Sequence, residues 1–136
     1  MIKGVAHICI GSKDLVKTEH FYSAVLGMKK KFDFVRKGKK AGFYLDSGNG
    51  IYVEAFIQND LSIKDTDAIK HICLEVDNID STINDLKLKG IVVSDKKLGN
   101  DNSWQAWLAD PDGIKIELHE YTTKSSQITG NDCKLE

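Results

Sequence analysis

Lys70-His71-Ile72-Cys73-Leu74-Glu75-Val76-Asp77 is the stretch of sequence that decides the fold. Its apolar residues alternate with His, Cys and Glu, which predicts a β-strand whose two sets of side chains lie on opposite faces of a sheet. The chain uses the same pattern once before, in Ala6-His7-Ile8-Cys9-Ile10. The repeated His-Ile-Cys therefore indicates that the protein contains an internal repeat.

Three further pairs of landmarks extend this repeat. A helix-opening residue follows each histidine by 7 residues, a helix-stopping Gly follows by 20 and 19 residues, and a Glu follows by 47 and 46 residues. The pairs are Asp14 and Asn78, Gly27 and Gly90, and Glu54 and Glu117. Asp and Asn are residues that cap helix starts, and Gly commonly ends helices. The sequence thus predicts two related modules, residues 1–58 and 69–121, followed by a polar tail, residues 122–136.

Each module is predicted to have the element order β-α-β-β-β. The predicted helices are Asp14–Leu26 and Ile79–Leu88. The predicted strands are Val5–Ile10, Lys31–Val35, Ala41–Leu45, Ile51–Ile57, Lys70–Val76, Ile91–Val93, Trp104–Ala109 and Ile114–Glu120. This order predicts an α+β fold with two small, mostly antiparallel sheets.

The composition is that of an ordinary globular protein. The 136 residues are 41% hydrophobic and 29% charged, with a net charge of −1, which suits one compact domain and gives no basic surface for nucleic acid or an anionic membrane. No apolar run approaches a membrane-spanning length, and the sequence after Met1 does not resemble a signal peptide. The three cysteines are an odd number, which argues against a disulfide framework. We therefore expect a cytoplasmic protein with reduced thiols.

Two histidines and two glutamates are the candidate site residues. If a pseudo-twofold axis relates the modules, equivalent positions meet near that axis. The four residues are His7, Glu54, His71 and Glu117. Together they would form a nitrogen and oxygen site for one divalent ion (Zn, Ni, Co, Mn or Fe), with two coordination positions open for water or substrate. A single His or Glu on a strand is more often a packing or solvent-facing residue, but the strand face of Glu54 is aromatic, and a buried carboxylate needs a partner.

Several segments resemble the vicinal-oxygen-chelate superfamily, and its metal-binding glyoxalase I (lactoylglutathione lyase) branch in particular. They are His7-Ile-Cys-Ile10, Asp14 with Phe21-Tyr22 and Leu26-Gly27-Met28, Glu54, His71-Ile-Cys-Leu-Glu-Val-Asp77, and Asp110-Pro-Asp-Gly-Ile-Lys-Ile-Glu117-Leu118. The resemblance spans residues 1–121 and implies the glyoxalase/bleomycin-resistance/dioxygenase fold of paired βαβββ modules. It also implies that the same two histidines and two glutamates bind the metal.

The activity implied by the resemblance is proton transfer next to a carbonyl in a small α-oxo substrate of the hemithioacetal type. A divalent metal would stabilise the enediolate, with Glu117 as the first candidate base and Glu54 as the second. Trp107 and Gln105 would line the substrate cleft. The family commonly forms homodimers, and the two modules could pair within one chain or between two chains.

Two departures from the branch argue against glutathione as the thiol. The glutathione-using enzymes carry an Arg shortly after the first His, where this chain has Ile10-Gly11-Ser12-Lys13, and an Asn after the first Glu, where it has Gln58. Another thiol adduct or a different 2-oxo or 2-hydroxy compound is therefore open as the substrate. The resemblance to the superfamily also leaves three other functions open: a ring-cleaving dioxygenase, a thiol or epoxide transferase, and a non-enzymatic drug-binding module. The additional carboxylate of Glu54 argues against oxygen chemistry, because it fills a position that a His-His-Glu site leaves open.

Three other residues lie on the predicted site faces. Cys9 and Cys73 lie two residues along a strand from the histidines, and we interpret them as small apolar wall residues. His119 shares a face with Glu117 and could donate a hydrogen bond to it. The expectation for His119 is nevertheless that it only ends its strand near the surface.

Overall fold

The structure is a computed structural model that describes residues 1–135, so that Glu136, the last residue of the predicted tail, lies outside the described residues. The chain forms two compact units. The first unit is Met1–Lys64 and the second begins at Asp65. Each unit has the predicted β-α-β-β-β order.

The first unit contains a four-stranded mixed sheet with the strand order β1-β4-β3-β2. Its elements are β1 His7–Ser12, α1 Leu15–His20, a π-helical turn Phe21–Val25, β2 Lys29–Arg36, β3 Lys39–Gly48 and β4 Ile51–Ile57. β1 and β4 pair in parallel, whereas the other two pairings are antiparallel. The first and last strands of the module are therefore neighbours, which brings the start and the end of its sequence together.

The predicted helix Asp14–Leu26 is divided in the structure into α1, Leu15–His20, and the π-helical turn Phe21–Val25, and the sequence predicts where the whole segment begins and ends. The Asp14 carboxylate accepts hydrogen bonds from the backbone N–H groups of Val16 and Lys17, each at 3.1 Å, which satisfies donors at the helix start. The π-helical turn, which the sequence did not predict, buries the consecutive rings of Phe21 and Tyr22. Gly27 then takes a φ of +82°, a backbone conformation that favours Gly at a helix end.

The second unit repeats the arrangement with the strand order β5-β8-β7-β6. Its elements are β5 Ile72–Glu75, α2 Ile79–Leu88, β6 Lys97–Leu98, β7 Trp104–Ala109, β8 Lys115–Glu120 and α3 Ser126–Thr129. β5 and β8 pair in parallel, as β1 and β4 do. The Asn78 side chain accepts a hydrogen bond from the Ser81 N–H at 2.9 Å and caps α2.

The core of each unit lies on the sheet face opposite its His and Glu. In the second unit α2 packs against β7 and β8, and its buried stripe is Ile79, Ile83 and Leu86. The buried strand residues alternate with the candidate site residues, as a period of two requires. In the first unit they include Phe43, Leu45, Val53 and Ala55, and in the second Ala106, Leu108, Ile116 and Leu118. This apolar packing fixes which strand face is left for the site.

The α+β fold with two βαβββ modules is confirmed, with two local corrections. Ile91–Val93 is not a strand, because the Ile91 N–H bonds back to the carbonyl of Leu86 at the end of α2 and Val92 is exposed. The predicted polar tail, residues 122–136, contains α3 and a fully buried Ser125, so that part of it is packed against the second unit. Among the described residues there is no helix of the length and apolar character needed to cross a membrane.

Candidate metal centre

The first unit brings one predicted pair of site residues together. His7 opens β1 and Glu54 lies in the middle of the adjacent β4, where Cys9 is its partner in the ladder. The Nε2 atom of His7 lies 3.4 Å from Oε1 of Glu54. The Glu54 side chain is only 17% exposed, whereas that of His7 is 43% exposed. The carboxylate is thus set into the sheet face, and the imidazole beside it is the more exposed of the two groups.

The second unit repeats this geometry at the equivalent positions. His71 immediately precedes β5, and Glu117 lies in β8 opposite Cys73. The Nε2 atom of His71 lies 3.1 Å from Oε2 of Glu117, and the Glu117 side chain is 13% exposed. Parallel pairing of the first and last strands produces the same His–Glu contact twice.

Both contacts have the spacing of two ligands on one ion. Ligand atoms about 2.1 Å from a metal lie about 3.0 Å apart at a right angle and about 3.4 Å apart at the tetrahedral angle. The two observed His–Glu distances are 3.4 Å and 3.1 Å. An imidazole nitrogen and a carboxylate oxygen are donors that suit Zn, Ni, Co, Mn and Fe. Each pair thus fits half of the predicted site, and convergence of all four residues on one ion stays a prediction.

The His–Glu pair of the first unit borders a surface of five aromatic rings, which we name the aromatic face. Its residues are Phe32, Phe34, Tyr44, Tyr52 and Phe56. Neighbouring ring centroids within it lie between 4.6 and 6.2 Å apart. The Tyr44 ring also contacts the His7 ring edge to face, at 5.9 Å. An apolar or planar group on this side of His7 would therefore contact aromatic rings.

Trp107 and Gln105 lie on the site face of the second unit, as the alternation of β7 predicts. They are the ladder partners of Glu117 and His119, respectively. The Trp107 ring lies 4.9 Å from the His71 ring, and its Nε1 donates a hydrogen bond to Oε1 of Gln105 at 3.0 Å. Both residues therefore adjoin the His71–Glu117 pair, and contact with substrate stays a prediction.

The expectation that His119 ends its strand near the surface is wrong. Its side chain is 9% exposed, and its Nδ1 lies 3.3 Å from Oε1 of Glu117. Its other ring nitrogen, Nε2, is buried without a hydrogen-bond partner among the described residues. The period of two did place His119 on the face of Glu117. Its burial could not be predicted, because it depends on the polar segment that follows β8.

The cysteine of the second unit lies among these side chains. Donor atoms of Cys73, Glu117 and His119 all lie within 4.8 Å of one another. Although Cys73 is accessible to solvent, partial desolvation and the negative charge of Glu117 raise the pKa of its thiol to about 12. The pKa of Cys9 is also raised, by partial desolvation first and then by a hydrogen bond with Glu54 and the negative charge of Glu54. Both groups are therefore neutral thiols at pH 7, and their role as wall residues stays a prediction.

Comparisons with known proteins identify relatives of this architecture. Residues 4–118 match the profile of the Glyoxalase/Bleomycin resistance protein/Dioxygenase superfamily. A glyoxalase family protein from Enterococcus faecalis superposes with a TM-score of 0.75 at 23% identity, over 87% of this chain and 98% of that one. A lactoylglutathione lyase from Agrobacterium tumefaciens superposes with a TM-score of 0.69 at 17% identity, over 88% of this chain and 94% of that one. An antibiotic-binding protein from a Streptomyces species superposes with a TM-score of 0.70 at 20% identity, over 89% of this chain and 98% of that one. At these identities the solved structures share the fold with this chain.

Proposed function

The chain belongs to the glyoxalase/bleomycin resistance protein/dioxygenase superfamily, and on that premise we propose that it is a metal-dependent lyase or isomerase of the glyoxalase I type. The reaction is proton transfer next to a carbonyl in an α-oxo substrate, of which the adduct of an α-ketoaldehyde with a thiol is the model. One observation carries the proposal. Each module places a His nitrogen and a Glu oxygen 3.1 to 3.4 Å apart on the same sheet face, at equivalent positions.

In this proposal the two His–Glu pairs bind one divalent ion together. The ligands are His7, Glu54, His71 and Glu117. The proposal includes the pairing of the two modules, within one chain or between the chains of a homodimer. The ion would supply Lewis-acid stabilisation of the negative charge that develops on the carbonyl oxygen.

Glu117 is the proposed base. Its carboxylate is set into the sheet face, with a side chain only 13% exposed, and a positioned carboxylate is a common general base. Glu117 takes the proton from the hydroxyl-bearing carbon next to the carbonyl and delivers it to the carbonyl carbon. The hydroxyl proton passes to the former carbonyl oxygen, so that the reaction is an isomerisation without net oxidation. Glu54 is the second candidate for this role, because it has the same position in the other module. Trp107 and Gln105, beside Glu117, would orient the substrate.

The proposed substrate carries an apolar thiol rather than glutathione. The segment after His7 lacks the Arg that glutathione-using members of the branch place there. The rings of the aromatic face lie beside His7 instead, with Tyr44 in contact with its imidazole. Aromatic surfaces stabilise apolar and planar groups and lack the positive charge that an Arg offers to a carboxylate.

Metal analysis combined with substitution of Glu117 tests the proposal. We expect purified protein to contain a divalent metal, and chelation to abolish turnover of hemithioacetals. Glu117→Gln should lose turnover and bind metal more weakly. The matched control is Glu75→Gln, which neutralises an exposed carboxylate on the neighbouring strand β5 and should retain both properties. If Glu117→Gln keeps its metal and full turnover, the assigned base is wrong.

A second candidate function is metal-independent ligand binding. The five rings of the aromatic face favour it, since a stacked aromatic surface can bind a planar molecule without chemistry. It predicts that metal-free protein binds planar aromatic compounds, and that Tyr44→Ala weakens this binding. Tight ligand binding by metal-free protein, together with no turnover of any thiol adduct after metal loading, would favour this function over the enzymatic one.

A further inference from the structure

His119 stands between two carboxylates in the second unit. Its Nδ1 lies 3.3 Å from Oε1 of Glu117, and its Nε2 lies 3.7 Å from Oδ2 of Asp101. The ring packs edge to face against Tyr121, with 4.8 Å between centroids. The other oxygen of Glu117, Oε2, lies 3.1 Å from His71. The two oxygens of the proposed base thus have separate neighbours, one a proposed metal ligand and the other His119.

Asp101 is itself held by the polar segment Thr122–Gln127. The Gln127 side chain donates to Oδ2 of Asp101 at 2.7 Å, and the Ser126 N–H donates to the Asp101 carbonyl at 2.8 Å. Ser103 supplies a backbone N–H to Oδ1 at 3.0 Å. Desolvation would raise the pKa of the Asp101 carboxyl, but the hydrogen bonds from Gln127 and Ser103 and the nearby His119 lower it overall. Asp101 is therefore a fixed carboxylate at neutral pH.

Buried hydroxyl groups also anchor the segment Thr122–Gln127. Ser125 is fully buried and shares a 2.7 Å hydrogen bond with Ser103, which is also fully buried. Thr122 donates to the carbonyl of Asn102 at 2.7 Å. The Ser125 hydroxyl also accepts a hydrogen bond from the Thr122 N–H at 2.8 Å. Such a network of buried polar groups specifies one arrangement, because Ser103 would lose its Ser125 partner if the segment moved away. The segment is thus packed against the loop of the second unit that contains Asp101, the neighbour of His119.

From this geometry we infer that His119 is a positioning residue for Glu117, and that Thr122–Gln127 keeps the Asp101 carboxylate beside the His119 ring. The 3.7 Å between Nε2 and Oδ2 is too long for a hydrogen bond, so Asp101 acts on His119 through packing and charge alone. The inference rests on the proposed function, since it gives Glu117 the role of ligand and base. A carboxylate oxygen only accepts hydrogen bonds, so His119 donates from Nδ1 and turns Oε1 of Glu117 toward itself. This orients Oε2 toward His71. The carboxylate is then in position before metal or substrate arrives.

Metal affinity of the purified apoprotein tests this inference without relying on turnover. Partners that orient metal ligands typically change affinity or activity about 10- to 100-fold when they are removed. We therefore expect His119→Phe, which keeps an aromatic ring but loses the donor, to bind Ni²⁺ or Zn²⁺ about 10- to 100-fold more weakly in a chelator competition. His119→Gln, which restores a donor, should recover most of the loss. The matched control is His20→Phe, the same change at an exposed His of α1, and should leave affinity unchanged.

A second variant keeps the inference testable if His119→Phe does not fold. Gln127→Leu removes the donor to Oδ2 of Asp101 on the exposed side of α3, and we expect a smaller loss of metal affinity in the same direction. Circular dichroism of each variant confirms its fold. If folded His119→Phe and Gln127→Leu both bind metal as the unsubstituted protein does, the inference is wrong.

Two further outcomes separate this inference from its alternatives. If Glu117→Gln leaves metal affinity unchanged, the proposed function fails and the positioning role fails with it; if only Glu117→Gln weakens binding, the positioning role alone fails. His119 could instead be a direct ligand together with Cys73 and Glu117. Cobalt-loaded protein would then show a thiolate-to-metal absorption band that Cys73→Ser removes, and that result would overturn the positioning role. Absence of the band supports it.

Discussion

Truncation of one leucine on α2 should destabilise the second unit strongly, whereas the same truncation two residues away should not. Leu86 lies on the buried stripe of the helix and is 2% exposed, and Leu88 on the outer side is 89% exposed. Leu→Ala removes the same atoms at both positions and changes helix propensity equally. The pair of variants therefore isolates the contribution of burial against β7 and β8.

The magnitude follows from the burial of Leu86. Leu→Ala removes about three methylene equivalents, which at about 0.8 kcal/mol each are worth about 2.4 kcal/mol of transfer free energy. A cavity that the surrounding core cannot fully fill adds to this, within the observed range of about 2 to 5 kcal/mol for buried Leu→Ala changes. We expect Leu86→Ala to lower the free energy of unfolding by about 3 to 4 kcal/mol. Leu88→Ala should change it by less than about 0.5 kcal/mol.

Tryptophan fluorescence during urea unfolding reports on the stability of the second unit, where Leu86 lies. Both tryptophans of the chain, Trp104 and Trp107, lie in β7, against which α2 packs. With an m-value of about 1.5 to 2 kcal/mol/M, the Leu86→Ala midpoint should fall by about 2 M. If Leu88→Ala is as destabilising as Leu86→Ala, or if Leu86→Ala costs less than about 1 kcal/mol, the packing of α2 described above is incorrect.

Two further predictions concern the first unit. Gly42→Ala should destabilise it by about 1 to 3 kcal/mol in urea unfolding, because the added Cβ would lie 2.2 Å from the carbonyl oxygen of Ala55 on the neighbouring strand; unchanged stability would show that β3 and β4 can separate freely. Burial would raise the pKa of Glu19, but the ammonium groups of Lys30 and Lys40 lower it below its usual 4.5. The ion pairs of Glu19 with these lysines therefore stabilise the fold above pH 4.5, and this stabilisation is lost as the pH falls through the lowered pKa. Lys40→Gln should thus reduce stability at pH 7 by less than about 1 kcal/mol, with a difference that shrinks in acid, and a difference that grows below pH 4 would contradict this.

The pairing of His and Glu within each module was predictable because it depends on local periodicity. A period of two assigns His7 and Glu54 to strand faces, and repetition at His71 and Glu117 identifies those faces as equivalent. The contacts of 3.4 Å and 3.1 Å arise because the first and last strands of each module are parallel neighbours. The apolar residues on the opposite faces leave no other register that buries them.

The same patterns could not predict the packing of the segment Thr122–Gln127 near His119 and Glu117. The segment after β8 is rich in Ser, Thr and Gln, with no apolar stripe that would indicate packing. Ser125 is buried through hydrogen bonds with Ser103 rather than through apolar contact, and such partners are 22 residues apart. The π-helical turn was missed for a similar reason. The adjacent residues Phe21 and Tyr22 are both buried in the core, and the period of an α-helix does not predict the π-helical geometry found there.

Parallel pairing of the first and last strands of each module also has a consequence for how each half of the site is assembled. The strand with the histidine is made first, but its neighbour in the sheet is the last strand of the same module. A nascent or truncated chain that stops before β4 or β8 leaves that first strand without its partner. Contacts between residues so far apart in sequence form late, since the loop between them must close first. A histidine and glutamate that bind an ion together would therefore report that synthesis and folding of their module are complete.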